Sequence, residues 1–233
     1  YENLKTDLIQ IIEDKQPGLY SIQTDIKGNR SFSYWRNESA AKQMIEKCDL
    51  DKMVKLIRNS ELFYYTGISL GILKQKDRNK LIDLSKKSKI TAFDFNYRNS
   101  FHGNKVKSQS LFKKTNLSSN INFISFDDII EIFGKSDPIQ FINTFKTKDN
   151  IIILKHFEKI FYCVCNKIGS INIPIIKAID TTAAGDSFNG SFLAYHLKNE
   201  NLSIEQKILM SHNITKNVLK YRGAIIPKSK MKI

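Results

Sequence analysis

From residue 60 onward, short apolar runs alternate with segments of helical period. Leu62 to Thr66, Ile90 to Phe95, Phe123-Ile124, Ile151 to Leu154 and Ile160 to Cys165 read as strands. Asp77 to Lys89, Phe126 to Phe133, Pro138 to Phe145, Ser187 to Lys198 and Ser203 to Tyr221 read as helices. This alternation is the strongest constraint on the fold. It calls for an α/β three-layer sandwich: a mostly parallel sheet covered by helices on both faces.

The first 60 residues follow another pattern. Leu19 to Thr24 and Ser31 to Arg36 alternate like strands, and Lys27-Gly28-Asn29 between them is a turn signal. Residues 18–36 therefore read as a β-hairpin flap set apart from the sheet. Phe32, Tyr34 and Arg36 fall on one face of its second strand, an aromatic face ending in a cation, suited to covering a polar ligand. Ser39 to Arg58 reads as helical with a break near Asp49–Asp51.

A chain of 233 residues supports a single domain with a sizeable core. No apolar run is long enough for a membrane span, so no membrane partner is expected. Cys48, Cys163 and Cys165 are odd in number and lack CxxC spacing, which points to core packing in a reducing, cytoplasmic compartment. Cys163 and Cys165 are expected on one buried strand face. The formal net charge of +14 raises the question of nucleic acid. Only six of the 37 cations are arginine, however, and the lysines are scattered among acids with no basic stripe. A solvated surface accounts for them, with a field that attracts anionic small molecules. His102, His156, His196 and His212 form no ligand-spaced cluster.

The segment Asp180-Thr181-Thr182-Ala183-Ala184-Gly185-Asp186-Ser187-Phe188-Asn189-Gly190 carries the chemistry. It lies between the apolar run Ile171 to Ile179, read as a strand, and an amphipathic helix. Small residues there bring bare backbone N–H groups to a helix N-terminus, where they hold a phosphate or a developing negative charge. Asp186 at the helix entrance is placed to take a proton from a hydroxyl beside that anion. Loop, dipole and carboxylate together point to phosphoryl transfer from a nucleotide to an alcohol. The plain alternative is that Asp186 and Ser187 only cap the helix.

The eleven-residue string resembles the C-terminal signature of the ribokinase-like (PfkB) sugar kinases. Pro17-Gly18-Leu19-Tyr20, Tyr34-Trp35-Arg36-Asn37, Thr66-Gly67-Ile68-Ser69-Leu70, Asp94-Phe95-Asn96-Tyr97-Arg98 and Tyr221-Arg222-Gly223-Ala224-Ile225-Ile226-Pro227 sharpen the match. In this order they are similar to the 2-keto-3-deoxygluconate kinase branch of that family, over essentially the whole chain. The resemblance implies a ribokinase-like sandwich with a lid, and ATP-dependent phosphorylation of a terminal hydroxyl on a sugar acid. It implies Asp186 as base, with the N–H groups of Ala183, Ala184 and Gly185 on the transferring group. Tyr20, Tyr34, Arg36, Asn96 and Arg98 are implied on the sugar acid, where arginine pairs a carboxylate through its planar fork. Lys155, Gly223 and Ala224 are implied near the nucleotide. Asp180 and Thr182 match a monovalent-cation position, with loop hydrogen bonding as the alternative. Magnesium is expected with ATP.

Three departures from the family pattern stand out. The family's N-terminal segment is missing from residues 1–233, so the sequence reads as one truncated kinase domain with Leu62–Thr66 as an edge strand. Lys155-His156-Phe157-Glu158-Lys159-Ile160 lacks the glycine-bearing turn that relatives carry beside ATP. Phe126-Asp127-Asp128-Ile129 lacks an Asn-x-x-Glu element, leaving Asp127 and Asp128 as candidate partners for hydrated magnesium. A non-catalytic remnant and a kinase for another sugar stay open as alternatives, as does a homo-oligomer.

Overall fold

The computed structural model describes residues 5–6, 9–24, 30–99, 103–134, 137–175 and 177–231. Its main sheet has six strands in the order β3-β4-β5-β6-β7-β8. These are β3 (Leu62–Thr66), β4 (Ile90–Asp94), β5 (Ile121–Ser125), β6 (Ile151–His156), β7 (Lys159–Val164) and β8 (Lys167–Asn172). Strands β3 to β6 run parallel, while β7 and β8 return antiparallel through tight turns. Every parallel strand meets its sequence neighbour, so each helical connection between them is one crossover.

The alternation of side chains along these strands builds two cores. Phe93, Ile124, Ile152 and Leu154 enter one, while Ala92, Phe123 and Ile153 enter the other. The first is covered by α1 (Leu50–Asn59), α3 (Gln75–Ser85), α4 (Lys105–Leu117), α5 (Phe126–Phe133) and α6 (Pro138–Phe145). The second is covered by α7 (Ala184–Lys198) and α8 (Ile204–Val218). The three-layer expectation is met.

A separate two-stranded sheet, β1 (Leu19–Thr24) and β2 (Arg30–Trp35), is the expected flap. Its turn, with Lys27-Gly28-Asn29, lies outside the described residues, as does His102. The break near Asp49 is also present: Asp49 caps α1 by accepting from Lys52 N–H.

The structure departs from the sequence reading at several places. The run Ile171 to Ile179 is not a strand up to the loop; β8 ends at Asn172, two residues before Pro174. Proline has no N–H for a ladder. Cys163 is buried but Cys165 is exposed, because β7 ends at Val164 and Cys165 begins the turn with φ 49°. Two helices went unread: α4, and the five-residue α2 (Gly67–Gly71) directly after β3.

Among the described strands, β3 pairs only with β4, so it is an edge strand as expected. Beside it a groove of about 530 Å³ is lined by Ile9, Ile11, Met53, Leu56, Leu62 and Phe63. Ile11 and Leu56 there are exposed.

Candidate active site

In an open α/β sheet, ligands gather outside the carboxyl ends of the parallel strands. Here Thr66, Asp94, Ser125 and Lys155 stand at or next to those ends. The chain leaves β4 through Phe95-Asn96-Tyr97-Arg98. Phe95 and Tyr97 anchor this exit against Phe112 at 5.1 and 5.7 Å between ring centroids. Gly67 permits the close approach of β3's exit: a Cβ there would overlap the Phe95 carbonyl oxygen. Asn96, half-buried with φ 34°, and Arg98, exposed, emerge between these anchors. Arg98 donates to the Tyr97 carbonyl at 2.6 Å.

The loop before α7 makes a compact turn. Asp180 Oδ1 accepts from the Thr182 N–H (2.8 Å) and hydroxyl (2.7 Å), and Oδ2 accepts from the Gly223 N–H at 2.9 Å. Oδ1 thus closes the loop on itself, and Oδ2 ties it to the segment carrying Gly223 and Ala224. This favours the loop-bonding alternative for Asp180 and Thr182. Gly223 has φ 86°, a backbone state suited to glycine.

Ala183 is the N-cap of α7, left-handed at φ 59°, with no side-chain cap bond. Asp186 therefore lies three residues into the helix and is not its cap. Of the three expected N–H donors, Ala184 turns back to the Thr181 carbonyl at 3.3 Å. Gly185 and Asp186 N–H belong to the first turn, which has no intrahelical acceptors and carries the positive end of the dipole. Asp186 is exposed at this mouth.

Beneath it lies a network that the sequence reading missed. Lys155 Nζ donates to Asn189 Oδ1 at 3.2 Å. Asn189 Nδ2 donates to the Tyr64 hydroxyl at 3.3 Å, and that hydroxyl donates to Asp94 Oδ2 at 3.4 Å. Asp94 is 6% exposed, and burial pushes its carboxyl up to about 6, aided by Asp128 and Asp186 and opposed by Lys155. Burial likewise raises the Tyr64 phenol, with Asp94 adding to it, and raises the Asp128 carboxyl. Lys155, Asp94 and Asn189 stand in quoted motifs, but of these the resemblance gives only Lys155 a role, and Tyr64 stands in no motif. Tyr64 and Asn189 are 125 residues apart, and neither stands in a recognisable spacing with the other.

The flap residues group among themselves. The Arg36 guanidinium sits 4.0 Å over the Tyr34 ring, Phe32 stacks on Tyr34 at 6.0 Å, and Tyr20 lies 6.3 Å from Tyr34. The one-face expectation for Phe32, Tyr34 and Arg36 is met.

Asp127 and Asp128 do not act as a pair. Asp127 is exposed, whereas Asp128 is buried and accepts from the Tyr97 N–H at 2.9 Å. Among the described residues no three His, Cys, Asp or Glu side chains group to hold a metal. The residues present therefore do not fit a metal held by protein carboxylates alone.

The glycine-free stretch after Lys155 closes as a two-residue turn with His156 paired to Lys159. Phe157 takes φ 43° in that turn and is 84% exposed. Its side chain points to solvent, so the turn tightens without a glycine.

The description pfkB family carbohydrate kinase matches residues 1–231. This chain belongs to the PfkB carbohydrate kinases. As a PfkB kinase it is 33% identical to a 2-dehydro-3-deoxygluconokinase of Escherichia coli (strain K12), over 99% of this chain and 77% of that protein. It is 34% identical to the 2-dehydro-3-deoxygluconokinase of Haemophilus influenzae, over 97% of this chain and 74% of that one. Among solved structures, a 2-dehydro-3-deoxygluconokinase from Thermotoga maritima superposes with TM-score 0.69 at 16% identity, covering 90% of this chain and 69% of that one. A sugar kinase from Pyrococcus horikoshii in complex with ATP gives 0.71 at 16% identity, covering 91% and 68%. These likenesses show the ribokinase-like fold for this PfkB kinase. No helix among its described residues is long and apolar enough to cross a membrane.

Proposed function

We propose that this PfkB kinase transfers the terminal phosphoryl group of ATP to the terminal hydroxyl of 2-keto-3-deoxygluconate, giving 2-keto-3-deoxy-6-phosphogluconate. The observation that carries the reading is Asp186 in the first turn of α7, not as its cap but exposed at a dipole-positive mouth. The two relatives described above, named for this reaction, support the substrate.

The chemistry follows from the geometry. The sugar hydroxyl oxygen attacks the γ-phosphorus, and the bond from that phosphorus to the β,γ-bridging oxygen breaks with its electron pair leaving on ADP. The hydroxyl proton passes to an Asp186 carboxylate oxygen. The Gly185 and Asp186 N–H groups meet the charge on the transferring group. Asn96, Arg98, Arg36, Tyr20 and Tyr34 recognise the sugar acid, with arginine as the fork for its carboxylate. Gly223 and Ala224 flank the nucleotide. Magnesium travels with the phosphates of ATP and reduces their charge. The reaction belongs in the cytoplasm, where ATP is plentiful, and needs neither nucleic acid nor a membrane.

A coupled assay with ATP, Mg²⁺ and 2-keto-3-deoxygluconate tests the reading. Turnover with the sugar acid that is lost in Asp186→Asn supports it; turnover only with uncharged sugars assigns another substrate. A chain that folds without turning over is the second reading. It is favoured by β3 pairing on one side only among the described strands, and absence of turnover in the same assay supports it.

A further inference from the structure

Lys155, Asn189, Tyr64 and Asp94 come from four separate elements, β6, α7, β3 and β4, and meet under the start of α7. Asn189 is 1% exposed, so its amide is committed to this network. A buried amide left unsatisfied is costly, whereas one using both its oxygen and its nitrogen fixes the groups it joins. Its oxygen faces the Lys155 ammonium and its nitrogen faces the Tyr64 hydroxyl. The ammonium lies beside the second residue of α7: a methyl placed on Gly185 would be 3.8 Å from Nζ. The rings of Phe188 and Phe123 lie beneath it at 5.5 and 6.0 Å, with their π faces toward the cation.

Resting on the kinase reading, we infer that Asn189 and Tyr64 are positioning residues that hold the Lys155 ammonium against the start of α7, where it adds a fixed positive charge to the anion cradle. The helix offers only partial charge through its first-turn N–H groups. A full charge from the sheet side strengthens the same cradle without moving during the reaction. It also balances the acids around it. Asp94 from β4 and Asp128 from α5 feel the Lys155 charge, and Asn189 from α7 accepts its hydrogen bond; Tyr64 from β3 and Asp186 from α7 interact with Asp94 in turn. Three carboxylates converge there with one lysine. Phosphate on the cradle adds further negative charge, so removing Lys155 penalises the loaded site most.

The test uses the full chain and the variants Lys155→Met, Lys155→Arg and Asn189→Leu. Two readouts are taken: kcat and KM from about pH 5 to pH 9, and the titration of the Asp94 carboxyl by carbon NMR in the ligand-free protein. Lys155→Met and Asn189→Leu are expected to lower kcat by about 10- to 100-fold, with KM for the sugar acid within about threefold. Lys155→Met moves the Asp94 titration upward by about one pH unit, because an opposing positive charge is gone. Lys155→Arg, which keeps charge and donor, restores the Asp94 midpoint and much of kcat. Unchanged kcat in Lys155→Met overturns the inference, as does an Asp94 titration that stays in place. A loss of kcat that tracks only a loss of folded protein, without rescue by Lys155→Arg, also overturns it. If the unaltered chain phosphorylates no sugar acid, the proposed function fails instead, and the NMR titration still reports separately whether Lys155 sits where the inference needs it.

Discussion

The flap and the start of α7 carry the two halves of the proposed site, and they are held in opposite ways. The α7 half is tied down from below and from the side. Asp180 clasps Thr182 and Gly223, Asn189 is buried, and Phe188 and Phe192 pack edge-on to Phe123. The flap is two strands paired with each other, with Leu19, Tyr20, Phe32, Tyr34 and Trp35 exposed. Two strands without a core behind them are marginal alone. The comparison teaches a division of labour. Charge stabilisation is built into the fold, where preorganisation is worth most. On the proposed function, recognition of the sugar acid falls to the piece with the exposed apolar surface.

The sharpest way to break this contrast is at Asp186. Asp186→Asn is expected to reduce kcat by about 10²- to 10⁴-fold, the range for a lost general base. Sugar-acid binding and the unfolding midpoint should hold, because the side chain is exposed at the helix mouth. Steady-state kinetics beside a thermal melt check this. A variant with near-normal kcat removes Asp186 from the chemistry and leaves the α7 half without a base.

The next test reads the cost of preorganisation. Burial holds the Asp94 carboxyl above its ordinary value, at about 6 instead of 3.8. The folded chain therefore binds this proton more tightly than the unfolded chain does. Stability falls as pH rises from 3.8 to about 6, and stays lowered above that. Asp94→Asn mimics the protonated form. It should raise the unfolding free energy at neutral pH by about 2–3 kcal/mol and flatten this pH dependence, as followed by urea denaturation across pH. An unaltered pH slope would mean that Asp94 is solvated in the folded chain.

On the flap the expected effects are smaller and confined to one ligand. Arg36→Lys should raise KM for the sugar acid about tenfold, near 1.4 kcal/mol, and leave KM for ATP unchanged, because an ammonium cannot make the paired contact. Equal loss for both ligands would mean that the flap and the α7 half are not separable. The smallest effect is expected at Phe157, next to the α7 half. Relief of its left-handed backbone in Phe157→Gly should stabilise the chain by up to about 1 kcal/mol with kcat unchanged. Destabilisation would show that the Phe157 ring, though exposed, packs against the site.

What the sequence made legible follows the same division. Strands β3 to β7 and helices α5 to α8 were readable because their apolar residues keep a period. Helix α4 hid because its buried face includes Ser108, Thr115 and Asn116, while Val106 and Leu117 point outward. Ser108 and Thr115 spend their hydroxyls on carbonyls four residues back, at 3.0 and 2.8 Å, which lets polar side chains occupy a core face. Motif residues of the site, Asp186, Gly185 and Arg98 among them, were legible as contiguous strings. Tyr64 stood in no string and Asn189 stood in one without a role, because their partnership exists only once β3 and α7 have packed across the same sheet.

One detail of the flap makes it observable by light. The chain has a single tryptophan, Trp35, and it lies on β2 with 61% of its surface exposed. Indole emission depends on how wet the ring is, so the intrinsic fluorescence of the whole protein is in effect an optical channel from the lid. The catalytic half, which contains no tryptophan, is silent in that channel. Trp35 lies on the face of β2 opposite Phe32, Tyr34 and Arg36, so a shift in its emission on adding sugar acid reports a change on the outer face of the flap, in real time and without a label.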